Sequence, residues 1–186
     1  MAPMDAVENR TTARLRLHRM SLNHLEAVVT IDSDPRTNQH RPSGAPTPTQ
    51  SETKVREWIR GWEDDGLRYW AVEYEQLVVG VVGIRYLMFR GTNCWNLYYR
   101  FSPDAWGKGF ASEASREAVA VAEALEPGRP LVVRTRPAND PAVRVAESVG
   151  FHRRPALDSE GFIVLVRGWG DVSTAESKVI KTHRRR

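Results

Sequence analysis

Cysteine is nearly absent from this 186-residue chain, where Cys94 stands alone. A single thiol can form neither an internal disulfide nor a cysteine-based zinc site, and with no activating base beside it Cys94 reads as a small strand residue rather than a nucleophile. Long apolar runs are missing as well. No stretch of eighteen apolar residues occurs, and the opening Met1-Ala2-Pro3-Met4-Asp5 lacks the basic and apolar regions of a signal peptide, so a soluble cytoplasmic protein without a membrane partner is expected. A Walker A loop is excluded too, because Lys108 is followed by Gly109 and not by Ser or Thr.

The charge surplus is small and local. A formal net charge of +4 would suit nucleic acid, but residues 170–186 carry Lys178, Lys181, Arg184, Arg185 and Arg186 against Asp171 and Glu176, which puts +3 in the tail and leaves +1 for everything before it. A nucleic-acid partner is therefore not expected of the folded part, and a ribosome- or nucleic-acid-associated role would rest on the tail alone. With 41% hydrophobic residues the remainder has room for one buried core, read as a single domain over residues 1–169 followed by a basic polar tail over 170–186.

Periodicity then places the elements. Residues 1–11 are polar and expected to be loose, 13–18 alternate as an edge strand, and 21–31 form a short amphipathic helix with Ser21 as its cap. Residues 32–49, with Pro35, Pro42, Pro46 and Pro48 among Arg36, His40 and Arg41, have no core face and read as a long loop. A helix capped by Thr49 or Ser51 runs to about Trp62, with its tryptophans read as packing. Residues 67–74, 77–84 and 94–101 are strands joined by short connections, hence antiparallel, with Gly80 and Gly83 marking a bulge or close packing. After a helix over 110–126 comes the strand 131–135, parallel to its predecessor because a helix links them. A helix with Asp140 as cap, Pro141 at its first position and Gly150 at its end follows, then a hairpin over 151–157 and 161–167.

The chemistry concentrates where the strand ending at Ser102-Pro103 passes into a helix through Trp106-Gly107-Lys108-Gly109-Phe110-Ala111-Ser112-Glu113-Ala114. The first turn of a helix has no intrahelical acceptors for its N–H groups, and the helix dipole is positive there, so the junction is an anion site. Gly107 and Gly109 can take the positive φ that turns N–H groups inward, and a phosphate can approach a backbone without side chains. Pyrophosphate recognition is implied. Turn glycines between strand and helix are also structurally ordinary, and a dinucleotide site is a rival, with Arg136 after the next strand where a 2′-phosphate of NADP would sit. Against that rival, Ser112 occupies the third-glycine position, the preceding strand alternates, and about half the chain lies before the motif.

Further on the chain reads Asn139-Asp140-Pro141-Ala142-Val143-Arg144-Val145-Ala146-Glu147-Ser148-Val149-Gly150-Phe151. The two stretches together resemble the GNAT superfamily of acetyl-CoA-dependent acetyltransferases, and most closely the branch containing the ribosomal-protein N-terminal acetyltransferases, where Trp-Gly-Lys-Gly-aromatic-Ala-x-Glu-Ala is common. The resemblance implies a mixed α/β fold with a central, mostly antiparallel sheet flanked by helices. It implies acetyl-CoA as acyl donor without a metal, and a small-molecule or peptide amine as acceptor; a homodimer is left open. The alternative is an acyl-CoA-binding module without catalysis. On this resemblance backbone groups near Phe101 pair with the pantetheine arm, the loop Trp106, Gly107, Lys108, Gly109, Phe110 and Ala111 with Ser112 holds the pyrophosphate, and Asn139 contacts the coenzyme arm. Arg144 and Lys108 face coenzyme phosphates or are merely solvated charges.

Proton handling departs from the family pattern. The position where many relatives carry a Glu is Asn96, the tyrosine before Gly-Phe corresponds to Ala146, and the Ser of some relatives to Ala142. Amine acetylation needs a neutral amine, a route for its proton and a donor for the thioester carbonyl, for which a strand N–H suffices. Asn96 and Tyr98, on one strand face, are the candidates to hold a water for this task, with Glu73 and Glu160 next in line.

Overall fold

The computed structural model describes residues 8–63, 67–159 and 161–170; the basic tail expected after residue 170 and Glu160 lie outside them. Among the described residues eight strands form one sheet: β1 (Arg10–Thr11), β2 (Arg16–Arg19), β3 (Leu67–Tyr74), β4 (Leu77–Phe89), β5 (Thr92–Phe101), β6 (Leu131–Thr135), β7 (His152–Arg153) and β8 (Ile163–Arg167). Their spatial order is β1-β2-β3-β4-β5-β6-β8-β7. Every neighbouring pair is antiparallel except β5 and β6, which are joined by a helix and so run the same way. The sheet is therefore mixed and mostly antiparallel, as the sequence implies.

Among the same residues four α-helices flank it: α1 (Leu25–Ser33), α2 (Pro48–Arg60), α3 (Phe110–Leu125) and α4 (Asp140–Ser148). Tyr98 and Tyr99 are adjacent in β5 and so face opposite sides of the sheet. Tyr98 packs on Trp58 of α2, with ring centroids 5.5 Å apart, while the Tyr99 hydroxyl donates to the Ala142 carbonyl of α4 at 2.5 Å. The sheet thus has α2 on one face and α4 on the other, with α1 against α2 and α3 against α4. Trp58, Trp62 and Trp70 are all buried in the core, as packing residues should be.

Local chemistry moves several boundaries. Residues 10–11, expected to be loose, pair with β2 as β1. The loop over 32–49 contains a 3₁₀ turn at Pro35–Asn38 and ends at Thr47, which caps α2 in a reciprocal box with Gln50. Pro48 explains the early start, since the first helical N–H has no partner to lose. Asn139, not Asp140, caps α4 by accepting from the Ala142 N–H. β4 continues to Phe89 and turns into β5 through Arg90 and Gly91, both at positive φ, which suits the twist of a two-residue hairpin. Both readings of the β4 glycines hold. The β3–β4 register slips between Val72 and Glu73, and a Cβ on Gly83 would lie 1.9 Å from the Tyr69 ring.

One irregularity positions everything that follows. β5 and β6 are in register only through Trp95↔Leu131 and Asn96↔Val132. From Leu97 onward they diverge and leave a wedge-shaped gap at the C-terminal end of β5.

Candidate active site

The anion loop forms one wall of this gap. Gly107 and Gly109 have φ of 75° and 77°, and Gly109 is the N-cap of α3 with no side-chain cap. The first intrahelical bond is Glu113 N–H to the Gly109 carbonyl, so the N–H groups of Phe110, Ala111 and Ser112 have no acceptor within the helix and add to the positive end of its dipole. Arg14 braces the loop from the far edge of the sheet. Its guanidinium donates to the Lys108 carbonyl at 2.9 Å and to Glu113 at 2.7 Å, and lies 4.8 Å from the centre of the Phe110 ring. Glu113 also accepts from the Thr12 hydroxyl and the Arg14 N–H. Burial works against its ionisation, but these hydrogen bonds outweigh it and hold the carboxyl below its ordinary pKa.

β5 supplies the floor. The Trp95 N–H donates to the Pro130 carbonyl on the β6 side at 2.9 Å, whereas the Ser102 N–H donates to Val79 on the β4 side. Backbone groups alternate along a strand, so the N–H groups of Tyr99 and Phe101 are directed into the gap. The Phe101 carbonyl is taken by the Trp106 indole N–H at 2.9 Å.

Two cavities open from the gap. The first, about 510 Å³, is lined by the loop and the start of α4, and the second, about 360 Å³, lies between β5, β6 and the segment around residues 37–41. They share Thr37, His40, Tyr99, Arg100, Asn139 and Ala142. At this waist burial pushes the Tyr99 phenol pKa upward, so Tyr99 stays protonated. The Arg100 guanidinium is engaged by the Tyr98 oxygen at 2.8 Å, Thr37 and Asn38. His40 differs, because its Nε2 is buried and has no hydrogen-bond partner. Its imidazole opens on both cavities and carries a ring nitrogen that can accept as well as donate a hydrogen bond.

Beneath Arg100 lies a charged cluster. Asp32 is 1% exposed, accepts from the Ser51 hydroxyl at 2.7 Å and from Lys54, and sits 3.6 Å from Arg100 Nε. Burial lowers the Lys54 pKa although Asp32 opposes it, and burial raises that of Tyr98.

The sequence-derived site residues distribute unevenly. Phe101, Trp106, Gly107, Gly109, Phe110, Ala111, Ser112, Asn139 and Arg144 all line the first cavity. Lys108 does not. Its carbonyl serves Arg14 instead. Asn139 uses its side-chain oxygen to cap α4, and the Ser112 hydroxyl accepts from Ser148 at 2.8 Å. Tyr98 lines the second cavity but belongs to the Arg100 cluster, and Asn96 lines neither cavity. Glu73 lies 3.5 Å from His18 and lines neither cavity either. Residues that sequence reasoning missed include Arg14, Asp32, Arg100 and His40. Only the proline-rich, aperiodic segment around His40 carried a signal.

A strand-to-helix loop with free helix N–H groups thus stands beside a splayed parallel strand pair in a mixed α/β sheet fold. The acetyltransferase (GNAT) domain family matches residues 14–152. The chain belongs to this family and is an acetyltransferase by membership. Among solved structures it is similar to an acetyltransferase from Agrobacterium tumefaciens, at 19% identity and TM-score 0.74, covering 86% of this chain and 93% of that one. It is also similar to the ribosomal L7/L12 alpha-N-protein acetyltransferase RimL in complex with coenzyme A, at 15% identity and TM-score 0.65, over 85% and 96% of the two chains. A third is an acetyltransferase from Salmonella typhimurium that modifies the N-terminal serine of ribosomal protein L7/L12, at 15% identity and TM-score 0.64, over 84% and 95%. No curated protein sequence matches significantly.

Proposed function

We propose that this chain transfers the acetyl group of acetyl-CoA to a primary amine by direct attack in a ternary complex. The observation that carries the reading is the junction of two cavities at His40, one walled by the anion loop and the other reaching the far side of the same gap. The pyrophosphate lies against the N–H groups at the start of α3, with Arg144 near the coenzyme phosphates. The pantetheine arm runs along β5 toward Tyr99, and coenzyme A in the RimL complex supports this choice of donor. The Tyr99 N–H polarises the thioester carbonyl. The amine enters from the second cavity, its C–N bond forms as the C–S bond breaks, and its proton passes to His40 Nε2 and on to the departing thiolate.

The acceptor amine belongs to a peptide N-terminus or a small molecule, in keeping with the neighbours that act on ribosomal protein L7/L12. The test is thiol release with mass analysis of products, using the full chain, acetyl-CoA and a panel of amines and short peptides. His40→Gln is expected to lower kcat by about 10²–10⁴-fold, the usual contribution of a positioned base. A chain that binds acetyl-CoA yet acetylates nothing in the panel would mark a binding module instead.

A further inference from the structure

The second cavity is cationic on every side. Arg41 lines it from the loop, Arg100 from β5, Arg134 from β6 and Arg136 from the segment after it, and among the described residues no Asp or Glu lines it. The nearest buried carboxylate, Asp32, is already engaged by Lys54, Ser51 and Arg100. Arg134 and Arg136 matter most because both are held in place without a carboxylate partner among the described residues. The Arg136 guanidinium lies 3.9 Å from the centre of the Phe162 ring and donates to the Gly161 carbonyl at 2.8 Å. Arg134 lies 4.9 Å from the centre of the same ring and 5.4 Å from that of Phe89. One aromatic ring therefore carries two guanidinium groups.

Guanidinium carbons 4.9 Å and 3.9 Å from one ring centre are at most about 9 Å apart, so the two like charges repel each other, and the ring contacts offset part of that cost. A bound anion would relieve it and would take charge-assisted, bidentate hydrogen bonds from planar guanidinium groups. We propose that the acceptor is an anionic amine, with a carboxylate or phosphate close to the reacting nitrogen, and that Arg134 and Arg136 receive this group while the amine reaches His40. The inference rests on the transferase reading and names the substrate class of that site. A cavity of about 360 Å³ is of a size to hold a small amine or the first residues of a peptide. An acidic peptide N-terminus and a free amino acid both offer the same chemistry.

The test uses the full chain with acetyl-CoA and three serine-initiated peptides matched in length, one acidic, one neutral and one basic after the first residue. Glutamate and its α-amide form a small-molecule pair. Charge-assisted contacts of this kind are expected to favour the acidic peptide over the neutral one by at least about tenfold in kcat/KM, with the basic peptide slowest and the advantage shrinking in high salt. In the double variant Arg134→Gln/Arg136→Gln that advantage should fall to within about threefold. The glutamate pair tells the sources apart, since discrimination there but not among the peptides marks a small-molecule acceptor. Equal rates across both sets, or an advantage that survives the double variant, would overturn the proposal. Should no acceptor be acetylated, the transferase reading fails, and the cavity is judged separately by calorimetry of the acidic and neutral peptides. Charge-selective binding lost in the double variant supports it, and equal or absent binding overturns it.

Discussion

Replacing Gly109 with valine isolates the backbone contribution to coenzyme binding. The residue sits at φ 77° as the cap of α3, and apart from its chain neighbours the one described heavy atom within 4 Å of an added Cβ is Arg14 Nη2, at 3.5 Å. Packing therefore does not forbid the side chain. The obstacle is conformational, because an L-residue in the left-handed region costs roughly 1–2 kcal/mol, and a β-branched one more. The loop either keeps its shape at that cost or relaxes to negative φ and turns its N–H groups away from the anion. Losing two charge-assisted hydrogen bonds at about 1.5–3 kcal/mol each weakens binding by roughly 3–6 kcal/mol. That corresponds to about 10²–10⁴-fold in Kd. Calorimetry with acetyl-CoA on the wild type, Gly109→Ala and Gly109→Val, paired with thermal melts, reads both effects. Alanine should fall between the other two. A folded Gly109→Val protein with both wild-type affinity and a wild-type melting temperature would refute the loop as the pyrophosphate site.

Three further predictions address other parts of the molecule. An α-amino group has a reference pKa about two units or more below that of lysine, so a site that relies on one imidazole should acetylate a peptide with a free N-terminus far faster near pH 7 than a blocked peptide bearing lysine; the reverse preference in paired initial rates would mean a stronger base operates. Asp32→Ala leaves Lys54 and Arg100 without their buried counter-charge and should cost about 3–5 kcal/mol in denaturant unfolding, whereas a loss below about 1 kcal/mol would show the cluster to be solvated. The depressed pKa of Glu113 means that its contribution to stability is present above the unfolded value of about 4.3 and is lost as pH falls through the lower folded value. Glu113→Gln should therefore flatten the acid limb of melting temperature against pH, and parallel curves for variant and wild type would contradict this.

Elements whose signals are local were legible in the sequence. The strand-to-helix turn with its two glycines, its helix and the parallel strand after it depend on neighbours within a few residues, and Pro141 and Gly150 bracket α4 in the same way. What was not legible depends on distance along the chain. Arg14 and Glu113 meet although 99 positions apart in the chain, and neither has an unusual local context. Asp32 looked like the start of an exposed loop, yet it is buried because Ser51 and Lys54 of α2 and Arg100 of β5 converge on it. Asn96 was singled out by its position in a family pattern, but the divergence of β5 from β6 begins only after it, so the open part of the strand starts one residue too late to include it. His40 sits in a segment whose lack of periodicity signals exposure, and only the packing of that segment against β5 buries its ring nitrogen.

The seam between β5 and β6 has a mechanical consequence. Among the described residues, the half of the sheet from β1 to β5 and the half from β6 to β8 are hydrogen-bonded to each other through only two residue pairs and the Trp95–Pro130 contact. Beyond the seam β5 is an unprotected strand edge inside the molecule, and the Trp106 indole stops it at Phe101. An extended ligand that adds to this edge would act as a ninth, removable strand, stitching the halves together along a line the polypeptide leaves open. The cohesion of the sheet would then vary with occupancy, so hydrogen exchange should slow at the Tyr99 and Phe101 amides and also across β6 and β8, which the ligand need not touch.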